Sequence, residues 1–151
     1  MKTMLLILAT GAAIAVTYAA GSTAAPNGWT TEHYLTKETW HAFADVGKND
    51  NGGPDDIYAA QQVVKNQSGQ QVGVVNGYGI NLHPPYVFFH WTANLHGGTL
   101  TLESAINLKT NPSTYPIEGG TGRYAGARGT VTLTDAGSKG TLVTVRYRPE
   151  R

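Results

Sequence analysis

The stretch GGTGRYAGARGTVTL, Gly119 to Leu133, places five glycines in its first eleven residues and then passes directly into Thr/Val alternation. A glycine run of this kind can cradle a phosphate, but that use needs a helix N-terminus behind it and commonly a Lys-Ser/Thr pair. Here a strand follows and the pair is missing, so the phosphate reading fails. The run reads instead as a tight multi-turn connection in which glycines take positive φ and return the chain to a sheet.

Outward from that stretch the same grammar continues. Short segments rich in Val, Thr, Tyr and Phe alternate with Gly, Asn, Asp and Pro clusters, the pattern of an all-β sandwich or barrel. Strands are expected near Trp40 to Val46, Ile57 to Lys65, Gln71 to Leu82, Tyr86 to Leu95, Thr99 to Leu108, Arg128 to Asp135 and Thr141 to Arg148. No segment has a convincing helical period. In YVFFHWTANL one face carries Val87, Phe89, Trp91, Ala93 and Leu95, and the other Tyr86, Phe88, His90, Thr92 and Asn94. The second face is aromatic and polar at once, which suits a pocket lining. In GTLTLESAINL the apolar set is Leu100, Leu102, Ile106 and Leu108, interrupted by Ser104. In GVVNGYGINL, Asn76 and Tyr78 share a face while Gly73, Gly77 and Gly79 fall opposite, as a strongly coiled, closing sheet requires.

With 151 residues the chain has room for one domain. Lys2 is followed by an apolar run and then by small residues at GSTAA, the pattern of a secretory signal peptide. Cleavage is expected after Ala24, which makes the mature protein secreted, with residues 25–39 an extended arm and residues 40–151 the barrel. The competing reading is an uncleaved anchor, for which Met4 to Ala20 is short. Eleven Lys and Arg face ten Asp and Glu, with no basic block, so nucleic acid is not expected as a partner. The absence of cysteine removes disulfides and thiol chemistry together.

The string IEGGTGRYAGARGTVTL resembles the signature of the dirigent and allene oxide cyclase-like barrels: a hydrophobic residue, GGTG or GGSG, an aromatic two positions on, then G and a strand. GPDDIYAAQQVV, SGQQVGVVNGYG and FFHWTANLHGGTLTL resemble upstream blocks of the same family, in the same order, over roughly Trp40 to Tyr147. The resemblance implies an eight-stranded antiparallel barrel, often oligomeric as a dimer or trimer. It implies an apolar interior for a hydrophobic small molecule and no cofactor. It also implies one of two roles: a cyclase or isomerase that enforces a ring closure, or a dirigent-type protein that steers radicals made by an external oxidase. A packed secreted scaffold is the plainer alternative. Arg123 stands where many radical-steering members have an acid, and the acidic pair lacks the Pro-Leu that follows it in plants.

The residues then distribute as follows. Arg128 matches the arginine before glycine in the dirigent motif and is the candidate to stabilise an enolate or phenolate oxygen. Asp55, Asp56 and Glu103 are the candidate acids, and His90 the candidate acid-base, if they face the interior. Their structural alternatives are a hydrogen-bonded strand histidine and a solvated sheet face. Tyr78, Phe88, Trp91, Asn76 and Asn94 are candidate ligand-binding residues, with Trp91 on the face opposite Phe88. Arg123 is expected at the surface. No metal site is expected: DVGKNDNGGPDD puts Gly47 or Lys48 where a calcium loop needs Asp, and the histidines lack H-E-x-x-H spacing.

Overall fold

The structure is a computed structural model that describes residues 23–24, 28–46 and 53–149. The proposed leader, apart from its last two residues, lies outside the described residues. Ten strands follow in order: β1 (Thr23–Ala24), β2 (Thr30–Ala44), β3 (Ile57–Lys65), β4 (Gln71–His83), β5 (Tyr86–Leu95), β6 (Gly98–Asn107), β7 (Ser113–Pro116), β8 (Gly119–Gly120), β9 (Arg128–Asp135) and β10 (Thr141–Arg148). They form one sheet in the order β7-β9-β10-β2-β3-β4-β5-β6-β8, with β1 pairing onto β2. Every pairing is antiparallel. The sheet curls until β6 lies beside β7, which brings its two ends together as a barrel. Eight of the strands have four or more residues, in agreement with an eight-stranded barrel; β1 and β8 are two-residue additions.

The central strand differs most from the sequence reading. Residues 30–39, expected as part of an extended arm, are the first two thirds of the 15-residue β2, which pairs β10 on one side and β3 on the other. Its inward positions there are Glu32, Tyr34 and Thr36, all buried. A strand whose core-facing residues are polar shows no hydrophobic alternation, so its period is invisible to a hydropathy reading.

Alternation elsewhere fixes the faces. Val87, Phe89, Trp91, Ala93 and Leu95 of β5 stand on the face that carries Asn81, Gly79, Gly77, Val75 and Gly73 of β4, their respective register partners. The glycines make room for the rings. A Cβ at Gly77 would lie 2.5 Å from the His90 carbonyl oxygen and 2.7 Å from the Trp91 indole, closer than real atoms come. Gly77→Val therefore forces the indole off its seat against the sheet. The expected loss is about 1–3 kcal/mol of stability, with altered Trp fluorescence; urea unfolding with unchanged stability and emission would refute this packing.

One half of the barrel is filled and the other is hollow. Val64, Leu100, Val131, Val145, Ile117 and Tyr124 form a continuous core toward the end where β5 turns into β6. Above it, toward the β6–β7 connection, the side chains do not meet.

Candidate functional site

The hollow half is a cavity of about 520 Å³, within the range of roughly 300–1,000 Å³ typical of small-molecule pockets. Its walls are mainly apolar: Phe89 and Trp91 of β5, Leu102 and Ile106 of β6, Leu133 of β9 and Val143 of β10. Phe89 and Trp91 are tilted against each other at 40° with ring centroids 5.4 Å apart, an arrangement that presents one continuous aromatic wall. Polar groups gather toward one end, where Ser104, Asn107, Lys109, Asn111 and Asp135 border the opening. Tyr34 lies at the other end and closes it.

Behind Tyr34 the glycine run finds its purpose. Gly122 turns the chain at φ 59°, and Arg123 N–H then donates to the Gly97 carbonyl at 2.8 Å. This short 3₁₀ turn, Gly122–Tyr124, drives Tyr124 into the core with no exposed surface. There the Glu32 carboxylate accepts hydrogen bonds from Tyr34 Oη at 2.6 Å, Tyr124 Oη at 2.9 Å and Tyr147 Oη at 3.3 Å. Arg123 Nη2 adds a contact to the same carboxylate at 3.3 Å, donates to Tyr34 Oη at 3.1 Å, and bonds the Tyr124 hydroxyl. A carboxylate this buried is tolerated only when its lone pairs are satisfied and its charge is matched. Here both conditions hold.

The network fixes its own protonation. Burial, then the hydrogen bond to Glu32, pushes the Tyr34 phenol far above its ordinary range. Burial also raises Tyr124, and burial with the Glu32 charge raises Tyr147 to about 12. For Arg123 burial acts downward, but the Tyr124 hydrogen bond and the Glu32 charge outweigh it and the guanidinium is held protonated. The closed end is thus a saturated polar plug, with its hydroxyl protons committed to Glu32. Arg123, expected at the surface, is half-exposed with its guanidinium turned inward onto that carboxylate.

The candidates read from the sequence are placed differently from the expectation. The β5 face that lines the cavity is the apolar one, and the aromatic-polar face lies outside. Tyr78, His90 and Glu103 do come together, but on the convex surface: His90 Nδ1 is 2.9 Å from Glu103 Oε2, and the His90 ring stacks on Tyr78 at 5.5 Å. Asn76, Phe88 and Asn94 share that outer face by register. Asp55 and Asp56 sit at the entry to β3. Asp56 is buried and accepts the Val46 N–H at 3.1 Å, while Asp55 takes φ 75° and donates its N–H to Asn81. Arg128 is exposed and reaches the Ala127 carbonyl. Of the ten candidates, Trp91 borders the cavity and the other nine do not.

Sequence reading missed Glu32, Tyr34 and Tyr147. The available signal was the spacing of Glu32, Tyr34 and Thr36 at every second position, with polar residues in the core-facing role. Among the described residues no three His, Cys, Asp or Glu side chains group so as to hold a metal.

No curated protein matches the chain by sequence. Solved structures match it by fold. A pyocyanin demethylase superposes with a TM-score of 0.69 at 25% identity, over 78% of this chain and 98% of that one. The pterocarpan synthase dirigent protein PsPTS1 superposes with a TM-score of 0.67 at 13% identity, over 82% of this chain and 96% of that one. The Diels-Alderase AbmU from Streptomyces koyangensis superposes with a TM-score of 0.64 at 14% identity, over 81% of this chain and 68% of that one. The allene oxide cyclase barrel-like domain model matches residues 37–146, most of the strands that build the cavity, and the chain belongs to that family.

Proposed function

We propose that the barrel binds one apolar, largely planar small molecule and acts as a cofactor-independent cyclase or isomerase, enforcing a single outcome by confinement. The observation that carries this is the apolar cavity of about 520 Å³ set above a closed, saturated floor. A flexible intermediate held against the Phe89–Trp91 wall loses the rotations that compete with ring closure. Orientation of this kind supplies up to about 7–11 kcal/mol of a barrier in well-aligned systems. Polar side chains at the opening are placed to hold the ligand's polar end at the solvent side. We further propose that the chain is exported, on the strength of the apolar run after Lys2.

A second reading shares the same cavity: steering of radicals produced by an external oxidase, supported by the likeness of fold to the dirigent protein. Turnover of a reactive precursor without an oxidant separates the two.

The binding step is tested first, with pyocyanin as the aromatic probe because a pyocyanin demethylase is similar over nearly its whole length. Trp91 is the reporter. Saturable quenching of Trp emission is expected, lost in Trp91→Phe, and weakened at least about tenfold, or about 1.4 kcal/mol, in Leu102→Trp, which adds bulk to the cavity wall. Absence of saturable quenching by both pyocyanin and an anilinonaphthalene dye would overturn the binding reading.

A further inference from the structure

Beyond the cavity the concave face of the sheet continues onto a lip made by the far ends of β2, β3 and β4. Three chemistry-bearing residues meet there that the cavity walls do not include: Glu38, His41 and Tyr58. Register places them. Gln62 borders the cavity and pairs Glu38 across β2 and β3. Ala60 and Tyr58 follow at alternate positions on the same face, opposite His41 and Phe43. On the other side Tyr58 pairs Gly79, whose missing side chain is replaced by the Phe89 ring of the cavity wall. The bulge between Glu38 and Trp40 is what turns His41, rather than its neighbours, onto this face.

The three side chains are joined. His41 Nδ1 lies 2.8 Å from Glu38 Oε1, the Tyr58 hydroxyl donates to Glu38 Oε2, and the His41 and Tyr58 rings stack with centroids 6.0 Å apart. A carboxylate oxygen accepts, so the neutral imidazole carries its proton on Nδ1 and leaves the Nε2 lone pair open. Tyr58 stays a phenol, since burial and then the Glu38 hydrogen bond and charge hold its pKa above the ordinary tyrosine range. It therefore remains a donor that orients Glu38. The His41 side chain is 62% exposed, so its ring is open to solvent.

We propose that His41 is a general base at the rim of the barrel, with Glu38 and Tyr58 as positioning residues, and that it removes a carbon-bound or hydroxyl proton from a ligand seated on the Phe89–Trp91 wall. This rests on the reading that the cavity binds a planar small molecule. It defines the substrate class further: an apolar molecule whose acidic C–H or O–H lies at the end nearest solvent. The convex surface carries a chemically matching trio, Tyr78, His90 and Glu103, but on the face of the sheet turned away from the cavity. Location, not composition, selects His41.

The probe is 5-nitrobenzisoxazole, a planar bicycle whose ring opening needs only a base. The base takes the ring C–H proton, that electron pair completes a nitrile, the N–O bond breaks, and the electrons leave on a phenolate oxygen. The proton ends on His41 Nε2, and atoms and charge balance with no further reagent. The full chain is expected to open the ring saturably, faster than buffer. His41→Ala lowers kcat by about 10²-fold or more, as expected for loss of a general base, with KM little changed and part of the rate restored by added imidazole. Glu38→Gln lowers kcat about tenfold and Glu38→Asp recovers part of it, which a merely structural role would not do. Thermal midpoints of these lip variants, taken alongside, confirm that the barrel remains folded.

Quenching of Trp emission by the same probe separates the two readings. Saturable quenching without catalysed ring opening overturns the base and leaves the cavity reading standing. Neither quenching nor turnover overturns both. Loss of the rate in His90→Gln with His41→Ala intact assigns the base to the convex surface and overturns the proposal.

Discussion

Glu32→Ala is expected to lower the unfolding free energy by about 3–5 kcal/mol, the usual cost of removing one partner from a buried charged network. The side chain is 6% exposed and serves as the common acceptor for three phenols and one guanidinium. Its removal leaves Tyr34, Tyr124 and Tyr147 hydroxyls inside the barrel with too few acceptors. Tyr34 and Tyr124, 3.2 Å apart, can still bond each other, which limits the loss. Glu32→Gln retains the volume and one acceptor oxygen but turns an NH₂ toward donors, so its loss is intermediate. Arg123→Gln costs about 1 kcal/mol or less, because that side chain is 46% exposed and water can take its place. Urea unfolding followed by Tyr and Trp emission ranks the three. A Glu32→Ala loss no larger than that of Arg123→Gln would show that the plug does not hold the closed end together.

Alkaline pH should open the same end of the barrel. In the unfolded chain phenols ionise around 10.0, whereas folded Tyr147 keeps its proton up to about 12. Tyr34 and Tyr124 are raised in the same direction, by burial first. Each folded value lies above its unfolded one, so the contribution is fully present below pH 10 and is lost as pH rises from there toward the folded values. In that window the unfolded state binds fewer protons than the folded one, and stability falls with pH. The slope is about 1.4 kcal/mol per pH unit for each phenol kept neutral, or about 4 kcal/mol per unit for all three. Phenolate absorbance and unfolding midpoints followed across this window are expected to show these tyrosines ionising only together with loss of the fold. Complete phenolate titration near 10 in an intact barrel would contradict the buried network.

Apart from Tyr147, which lies in an expected strand, these two effects arise from residues that sequence reading had treated as arm and loop, and the reason is physical. Hydrophobic alternation reports strands whose inner face is apolar, as in β5 and β6, where the inward sets Val87–Leu95 and Leu100–Ile106 are read directly. It cannot report β2, where the inward residues at the closed end are Glu32, Tyr34 and Thr36. Their burial depends on Tyr124 and Arg123, almost a hundred positions away in the chain. The glycine run shows the opposite case. Its turns were legible as turns, but what they deliver to the core was not.

The choice of face followed the same division. Alternation separated the two faces of β5 correctly, and polar aromatic character then favoured the wrong one for the cavity. The apolar face lines it, because the curl of the sheet turns the side that carries Gly73, Gly77 and Gly79 inward, where only that side has room for Phe89 and Trp91. His90 and Glu103, expected as separate candidates, are register partners in neighbouring strands and are placed outside by the same curl.

By itself, then, the sequence determined the all-β class, most strand boundaries, the two faces of each apolar strand and the family, since these depend on local periodicity and on a contiguous glycine motif. Tertiary structure alone decided which face became concave, which polar residues became core, and that Glu38, His41 and Tyr58 meet at the rim. Those depend on sheet curvature and on contacts between distant strands, which no local pattern encodes.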